Sequence, residues 1–290
     1  MSQLAENQAI SIRPFTPDDV VAAQVLSRAV KWRHRVEDWR FVARVGDGFV
    51  AEDATGIIGT ALCWKYGRGA GSVGMVIVSP ERQRQGIGRK LIEKVLDELG
   101  GRTALLHATP SGEQICRSLG FSAVGTVRQH QGATFHPPLI SLPPGERLRP
   151  LGGNDVTHII NLASRASGLD RNAVMPALLR ESSGIALDRE GEPIGFALFR
   201  RFGDGYVIGP VIAPASTDLS RAKALISHWL SLNAGMFVRI DIPGDTGLSG
   251  WLDDLGLPLV DAVVKMSRNG PLLLDPNVTE FAIGNQALCL

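Results

Sequence analysis

The sequence predicts a protein with both helices and strands, of class α/β (α+β). Strand-like and helix-like segments of ordinary length follow one another along the 290 residues. The clearest pair begins with an apolar, largely β-branched run at Val73–Val78, which indicates a strand buried on both faces. A short loop with two glycines follows, and then an amphipathic segment that ends at Gly100-Gly101. A strand, a glycine loop and a helix in this order are expected at the centre of a sheet.

The chain also repeats itself at a constant offset of 136 residues. Ile12-Arg-Pro recurs as Leu148-Arg-Pro, Gly59-Thr-Ala-Leu as Gly195-Phe-Ala-Leu, and Leu119-Gly-Phe as Leu255-Gly-Leu. Three matches on one offset predict two copies of one fold. The proline-rich stretch from 135 to 145 predicts an extended connector, so the expected domains are 1–140 and 141–290.

The first repeat, residues 1–140, is called copy one, and the second, residues 141–290, copy two. In copy one the sequence predicts a series of strands and helices. A strand at 11–14 precedes a helix that Thr16-Pro-Asp-Asp starts, with a cap, a proline at the first position and acids in the first turn. A Trp- and Arg-rich segment from 32 to 45 comes next, followed by a hairpin around Ala54-Thr-Gly56. After the strand–loop–helix unit come a strand at 103–109, a short helix at 112–119 and a strand at 121–129.

The loop between the central strand and helix is suited to an anion. Backbone N–H groups at a helix start lack helical partners, the helix dipole adds positive charge, and glycine lets a ligand approach the main chain. A dinucleotide fingerprint fails because its third glycine would fall at Leu91, and a nucleotide P-loop fails because Gly-Lys-Ser/Thr is absent here. What remains is Gln83-x-x-Gly86-x-Gly88.

This pattern, after a strand that ends in Val78-Ser-Pro80, resembles the acyl-CoA-binding signature Q/R-x-x-G-x-G/A of the GNAT N-acetyltransferase superfamily. A glycine turn made only for packing is the alternative. The resemblance implies two tandem GNAT folds, each a mixed, mostly antiparallel sheet flanked by helices. It also implies acetyl-CoA as co-substrate, with its pyrophosphate on the loop amides. The matching cofactor-binding positions are Val76, Ile77, Val78, Gln83, Arg84, Gln85, Gly86, Ile87, Gly88, Arg89 and Thr109.

The second half of the family motif follows at Ala108–Phe121, which resembles A-T-P-x-G-x-x-L-Y-x-x-L-G-F. In the family the tyrosine usually acts as general acid toward the leaving thiolate, and here Cys116 stands in its place. The loss is tolerable, because a CoA thiol should titrate near the cysteine value of about 8.5 and can leave without strong acid help. Cys116 is a candidate for the acid, and a small buried thiol that fills space is the alternative.

The general base has several candidates. An amine that arrives protonated must lose a proton before it attacks the thioester, and Val73–Val78 carries no acidic residue. His107, on the neighbouring predicted strand, has an ordinary pKa of about 6.5 that suits the task, and a hydrogen-bonded core histidine is the alternative. Glu52 and Asp53 at the hairpin are further candidates, and a solvated turn is the alternative for them. By the resemblance, a backbone N–H near Val76–Val78 would stabilise the oxyanion.

The acceptor pocket of the family lies between the first helices and the sheet. In this chain that region has Arg33, Arg35 and Arg40 and four aromatic candidates for the substrate site, Trp32, Trp39, Trp64 and Tyr66. Aromatic walls suit an apolar or cationic acceptor, and arginines suit a carboxylate. Core tryptophans beside a charged helix face are the alternative.

Copy two lacks the glycine loop. Its central strand, Tyr206–Ala213, is followed by Pro214-Ala-Ser-Thr-Asp218, and aligning Pro214 with Pro80 puts Ala222 at the position of Gly88. A carboxylate at Asp218 would satisfy the helix start and repel a diphosphate. Leu252 occupies the tyrosine position. Copy two is therefore expected to resemble the degenerate partner of tandem GNAT proteins, and Asp170-Arg171 or Asp241 could serve an ancillary ligand.

Composition and charge restrict the partners and the location that the protein can have. A net charge of +1 predicts neither a nucleic-acid partner nor an anionic membrane surface, and no apolar run approaches the roughly 18 residues of a membrane span. Three cysteines make no disulfide framework, and residues 1–7 lack the basic and apolar regions of a signal peptide, which favours the cytoplasm. No metal site is predicted, and a homodimer is left open.

The sequence therefore predicts an acetyl-CoA-dependent N-acetyltransferase that transfers an acetyl group directly, in a ternary complex, to an amine of a small molecule or a protein. The alternative is a non-catalytic acyl-CoA sensor, which the cysteine in the tyrosine position favours. Release of CoA over a panel of amines distinguishes these two classes.

Overall fold

The computed structural model describes residues 10–133, 135–216, 218–244 and 246–290. These residues form eight α-helices and thirteen strands, and the strands join in one continuous sheet. Among them, no helix is long and apolar enough to cross a membrane.

The strands and helices of copy one occur in the predicted order. Thr16 precedes a 3-10 turn, Pro17–Asp19, in which the Asp19 carboxylate accepts the Thr16 N–H at 2.8 Å. The predicted helix start is therefore a capped turn that leads into the first α-helix. The elements are β1 (Ser11–Pro14), α1 (Val20–Ala29), α2 (Val36–Arg44), β2 (Asp47–Asp53), β3 (Gly56–Tyr66), β4 (Ala70–Val78), α3 (Ile87–Leu99), β5 (Thr103–Ala108), α4 (Pro110–Ser118) and β6 (Ser122–Ala133).

Copy two repeats this order and adds one strand at its end. The repeat extends to side-chain contacts, because Arg13 pairs with Asp19 and Glu52, and Arg149, 136 residues later, pairs with Asp155 and Asp188. The two predicted copies are thus confirmed. The elements are β7 (Glu146–Pro150), α5 (Val156–Ser167), α6 (Met175–Arg180), β8 (Ser183–Arg189), β9 (Glu192–Phe202), β10 (Gly205–Pro214), α7 (Ser220–Leu232), β11 (Phe237–Pro243), α8 (Ser249–Asp254), β12 (Leu259–Arg268) and β13 (Val278–Ala282).

The two copies build the sheet by exchanging equivalent strands. The strand order is β1-β2-β3-β4-β5-β12-β6-β11-β10-β9-β8-β7, with β13 beside β10. In antiparallel pairs, β12 of copy two lies against β5 of copy one, and β6 of copy one lies against β11 of copy two. Each copy therefore covers a strand edge that the other would leave unpaired. The predicted boundary between residues 140 and 141 does not coincide with a break in the sheet.

The hydrophobic core also joins the copies. One cluster combines the first two helices of each copy and includes Trp39, Ile159 and Met175, together with the carboxyl-terminal residues Leu288–Leu290. The other helices belong to two further clusters, α3 and α4 to one and α7 and α8 to the other, and Met266 of β12 joins the cluster of α3 and α4. The two halves of the chain are thus one packed unit around a shared sheet.

Candidate functional site

The glycine loop of copy one joins β4 to α3 through residues 79–86. Gly86, the N-cap, has φ +78°, which favours glycine. A Cβ built on Gly86 would meet no atom within 4 Å, and one on Gly88 would meet only Val78 Cγ2, at 3.5 Å. Helical bonding starts with the Lys90 N–H to the Gly86 carbonyl at 3.1 Å, so the N–H groups at 87–89 have no acceptor in the helix. Packing does not require these glycines, and the open space in front of free N–H groups fits an anion.

Polar and cationic side chains surround this loop. Arg82 donates from Nε to the Asp53 carboxylate at 3.0 Å, and Gln83 donates from Nε2 to the Val78 carbonyl at 3.2 Å. Arg84, with φ +64°, and Gln85 are exposed, whereas the Ile87 side chain belongs to a core cluster. The loop thus combines positive charge with free backbone donors.

β4 and β5 separate beside this loop. They pair in parallel over three residues, which end at Ser72 opposite Leu105. Farther along, Met75 has φ +51° and forms a bulge where the register of β4 with β3 shifts. Among the described residues, no strand pairs with Val76–Val78 on the β5 side. An extended ligand can therefore bond to this free edge of β4.

The corresponding region of copy two is closed. β10 and β11 also pair in parallel over three residues, but β13 then pairs with β10 from Val211 to Pro214 and occupies the space that stays open in copy one. The connection from β10 to α7 spans 215–219, against 79–86 in copy one. Asp218 accepts bonds from the Ser220 N–H and hydroxyl at 3.1 Å, which lower the pKa of its carboxyl. The predicted carboxylate at this helix start is confirmed.

The structural counterpart of Gly88 is Arg221, so the alignment with Ala222 was wrong. Each is the second residue of its helix and follows an N-cap of positive φ, +78° at Gly86 and +58° at Leu219. Aligning the prolines ignored the shorter loop of copy two. Arg221 is held in an ion pair at 2.8 Å by Glu146, so copy two has a side chain and a salt bridge where copy one has open space.

A cavity of about 660 Å³ lies beside β4 and β5, and both copies line it. It combines aromatic walls with charges of both signs. Copy one contributes Lys31, Trp32, Arg33, His34, Val73, Gly74, Met75, His107, Thr109, Gln129 and Gln131, and copy two contributes Phe202, Gly203, Asp204, Gly205, Tyr206, Phe237, Arg239, Asp261, Val263, Asn285, Gln286 and Ala287.

Most charged groups on the cavity wall are paired. Arg33 and Asp204 form an ion pair between the copies at 2.5 Å, and Arg239 pairs with Asp241 at 2.6 Å. Asp241, a sequence candidate for an ancillary ligand, is thus buried and engaged. Lys31 and Asp261 have no ion-pair partner among the described residues. A ligand could therefore pair with a cation and with a carboxylate in this cavity.

His107 lies on the cavity wall. Its Nδ1 is 2.7 Å from the Gln286 carbonyl, which can only accept, so Nδ1 carries the proton and Nε2 keeps a lone pair. Nε2 is buried without a partner among the described residues. Burial lowers the pKa of His107 to about 4, with a further lowering by Lys265 and an opposing effect of the Gln286 carbonyl. The imidazole is therefore neutral at pH 7.

A second imidazole on this wall, His34, was missed in the sequence. Ser27 Oγ accepts the Trp39 Nε1–H at 2.8 Å and lies 3.2 Å from His34 Nδ1. Since Trp39 only donates, the Ser27 hydroxyl proton is available to His34 Nδ1, which leaves the His34 proton on Nε2. Burial lowers the pKa of His34 to about 4. A histidine inside the Trp- and Arg-rich segment was the only sequence signal for it.

Cys116 lies in the core and not on the cavity wall. It is 5% exposed and belongs to a cluster with Ala108, Phe121 and Met266. Burial raises the pKa of its thiol to about 11, so the thiol is protonated at neutral pH. This location agrees with the space-filling alternative, and the role of acid stays a prediction.

Of the four aromatic acceptor candidates, only Trp32 lines the cavity. Trp39 and Trp64 are fully buried, and the Trp64 indole donates to the Val42 carbonyl at 3.0 Å. Tyr66 is buried too, and its hydroxyl donates to the Leu288 carbonyl at 2.5 Å. Trp39, Trp64 and Tyr66 therefore lie where the core alternative puts them.

The other charged candidates are engaged away from the cavity. Glu52 pairs with Arg13 at 3.0 Å and Asp53 with Arg82 at 2.8 Å, and neither acid lines the cavity. Arg35 and Arg40 form ion pairs within α2 and at its start, with Asp38 at 2.8 Å and Glu37 at 3.6 Å. In the part of the chain that the structure describes, no group of three or more ligating side chains could hold a metal ion.

Two family models match the chain, one in each copy. Both are described as an acetyltransferase (GNAT) domain, and they match residues 45–123 and 159–282. The chain belongs to the GNAT acetyltransferase superfamily, and it is a tandem GNAT protein.

Individual relatives agree with this classification. The chain is 29% identical to the uncharacterized N-acetyltransferase YitH of Bacillus subtilis strain 168 over 223 residues. This alignment covers 75% of this chain and 76% of that protein. A crystal structure of a Pyrococcus horikoshii protein superposes with a TM-score of 0.77 at 20% identity, over 97% of this chain and 96% of that one. A tandem GNAT protein from the clavulanic acid biosynthesis pathway gives 0.62 at 15% identity, over 91% and 99%. These two structures share the fold.

Proposed function

We propose that this protein is an acetyl-CoA-dependent N-acetyltransferase with one CoA site, in copy one, and an acceptor cavity lined by both copies. The observation that carries the proposal is the continuity of three features along one strand. β4 lines the cavity with Val73–Met75, has a free edge at Val76–Val78, and leads into the glycine loop. One extended ligand could therefore reach from the anion site to the cavity.

Acetyl-CoA would supply an activated acetyl thioester, and copy one has the groups to hold it. The free N–H groups of Ile87, Gly88 and Arg89 would bind the diphosphate, with room left by Gly86. The free edge of β4 would bond to the extended arm of the cofactor, and one of its N–H groups would stabilise the developing oxyanion. Gln83, Arg84 and Gln85 would add contacts around the loop, and Thr109 would add one at the end of β5.

His107 is the proposed proton acceptor. Its Nε2 has a lone pair, and the low pKa keeps the ring in its basic form at neutral pH, although as a weak base. As the amine nitrogen bonds to the acetyl carbon and the carbon–sulfur bond breaks, the amine proton would pass to Nε2. The thiolate would leave without help from Cys116, because its conjugate thiol has a pKa of about 8.5.

The acceptor that we propose is a small polar amine. The cavity volume of about 660 Å³ lies within the range of about 300–1,000 Å³ of small-molecule sites. Trp32 would contact a cationic group, and Asp261 and Lys31 would pair with charges of either sign on the acceptor. These features favour a small molecule over a protein segment.

Release of CoA over a panel of small polar amines, together with calorimetry of acetyl-CoA binding, tests this proposal. We expect at least one amine to be acetylated, with one acetyl-CoA bound per chain. Binding of acetyl-CoA without turnover of any amine would favour the acyl-CoA sensor instead. Failure to bind acetyl-CoA at all would contradict both functions.

A further inference from the structure

The C-terminal segment, residues 285–290, leaves copy two and packs against the site of copy one. A Cβ built on Gly74 of β4 would lie 2.7 Å from Ala287 Cβ, and His107 Nδ1 of β5 lies 2.7 Å from the Gln286 carbonyl. The end of the segment is buried, since Leu290 is 0% exposed. Copy two therefore supplies part of the wall around the proposed base.

One buried arginine of copy two anchors the C-terminal segment. Arg171 donates from Nη1 to the Leu288 carbonyl at 3.1 Å, from Nη2 to the Cys289 carbonyl, and from Nε to Ser167 Oγ at 3.1 Å. Its guanidinium lies 4.8 Å from the centre of the Tyr66 ring. No carboxylate within ion-pair distance neutralises Arg171 in the described residues. A buried cation is stable only when its donors are satisfied, so Arg171 and these carbonyls depend on each other.

Asn285 gives the C-terminal segment its shape. Its Oδ1 accepts the N–H groups of Ala287 at 2.9 Å and of Leu288 at 3.2 Å. The Asn285 backbone also bonds to Leu290 in both directions, at 2.6 and 3.1 Å. The segment is therefore a closed hydrogen-bonded turn whose position is defined.

The only described neighbours bonded to His107 Nδ1 belong to this turn. They are the Gln286 carbonyl at 2.7 Å and Cys289 Sγ at 3.8 Å. A carbonyl acceptor holds the proton on Nδ1, whereas an imidazole without that acceptor would populate both tautomers and could rotate. The tautomer of His107 thus depends on a segment 179 residues away in the sequence.

We propose that the C-terminal segment is the means by which copy two completes the site of copy one, and that Arg171 is a positioning residue that acts through this segment on His107. The proposal rests on the proposed function, in which His107 Nε2 accepts the amine proton. The segment keeps the lone pair on that nitrogen. Copy two, in which β13 covers the edge of β10, would therefore still contribute to catalysis.

The surroundings of His107 give the proposal a measurable consequence. Lys265, its register partner on β12, is the charged group that acts on it, while β4 contributes Gly74 and Met75 and the C-terminal segment contributes Gln286 and a neutral Cys289 thiol. Burial is the main cause of the low pKa of His107. Release of the segment would let water reach the ring, and the pKa would rise toward the ordinary value of about 6.5.

The experiment compares the parent with Asn285→Ala, Asn285→Asp and Arg171→Met. NMR of ¹⁵N-labelled imidazoles, assigned with His107→Gln, reports the tautomer and the pKa, and kcat/KM is measured against pH with an amine that the parent acetylates. Asn285→Ala and Arg171→Met should give mixed tautomers, a higher pKa, a loss of kcat/KM below about pH 6.5, and a kcat lower by about tenfold or more. Asn285→Asp keeps an oxygen for both N–H groups and should restore the parent tautomer.

Arg165→Met is the matched control, because it removes a half-exposed arginine of copy two that pairs with Asp275 at 2.8 Å. It should leave the tautomer and the kinetics unchanged. A parent with its His107 proton on Nε2 would overturn the proposal. The proposal would also be overturned if Asn285→Ala folds and keeps the tautomer and the kcat of the parent. This comparison tests the proposal even if Arg171→Met does not fold. A parent that acetylates no amine would overturn the proposed function itself, and with it the catalytic role of the segment.

Discussion

Replacement of Gly88 by valine should separate ligand binding from folding in the glycine loop. The φ of Gly88 lies outside the left-handed region, and a Cβ there would meet only Val78 Cγ2 at an ordinary contact distance of 3.5 Å. Valine and glycine differ by only a few tenths of a kcal/mol in helix propensity. The free energy of unfolding should therefore stay within about 0.5 kcal/mol of the parent value.

The effect on binding should be much larger. The valine methyl groups would occupy the open space in front of the N–H groups at 87–89, where the proposed diphosphate binds. Two or three charge-assisted hydrogen bonds would be lost, at about 1.5–3 kcal/mol each. Because about 1.4 kcal/mol corresponds to a factor of ten, the Kd for acetyl-CoA should rise at least about a hundredfold.

Calorimetric titration with acetyl-CoA and urea unfolding measure the two quantities. Gly250→Val is the matched control, because Gly250 is also the second residue of its helix, α8, with open space around it and no positive φ. The control should keep both the affinity and the stability of the parent. If Gly88→Val binds acetyl-CoA as tightly as the parent does, the loop is a packing turn and the proposed cofactor site is refuted.

Three further predictions follow from the geometry. Calorimetry should show one acetyl-CoA per chain, because β13 and the Arg221–Glu146 pair close copy two, and two equivalent sites would contradict this. Cys116→Ala should keep kcat within about a hundredfold of the parent, since a greater loss would show that the buried thiol acts as the acid. The pKa values of His34 and His107, both about 4, mean that the unfolded chain binds more protons than the native one below about pH 6.5. The free energy of unfolding should thus fall on acidification, by about 1.4 kcal/mol per histidine at pH 5.5, and His107→Gln should remove roughly half of that fall in urea titrations. A stability that is flat from pH 7.5 to 5.5 would contradict this.

Patterns that depend on neighbouring residues could be interpreted from the sequence. The apolar run predicted at Val73–Val78 is the second part of β4, and the predicted helix after it is α3. The constant offset predicted the two copies, and the equivalent ion pairs around Arg13 and Arg149 bear this out. Side-chain periodicity, caps and glycine positions act within a few residues, so they can be recognised without the fold.

The partners of each strand could not be predicted in this way. β6 and β12 occupy equivalent positions in the two copies, yet each pairs with a strand of the other copy, and that choice depends on which strand edge is covered. The same reason explains the misplaced aromatic candidates. Residue type alone does not distinguish Trp39 in the core from Trp32 on the cavity wall.

By itself, the sequence determined the glycine loop and the helix after it, because Gly86, Gly88 and the start of α3 are defined by a few consecutive residues. Only the tertiary structure decided that β13 closes the cleft of copy two and that the C-terminal segment reaches His107. Those contacts join residues far apart in the chain, and they form because burying the apolar surface of Leu288–Leu290 in the shared core is favourable for the whole protein. The stabilisation of these contacts depends on the packing of the whole protein, so it cannot be predicted from a short stretch of sequence.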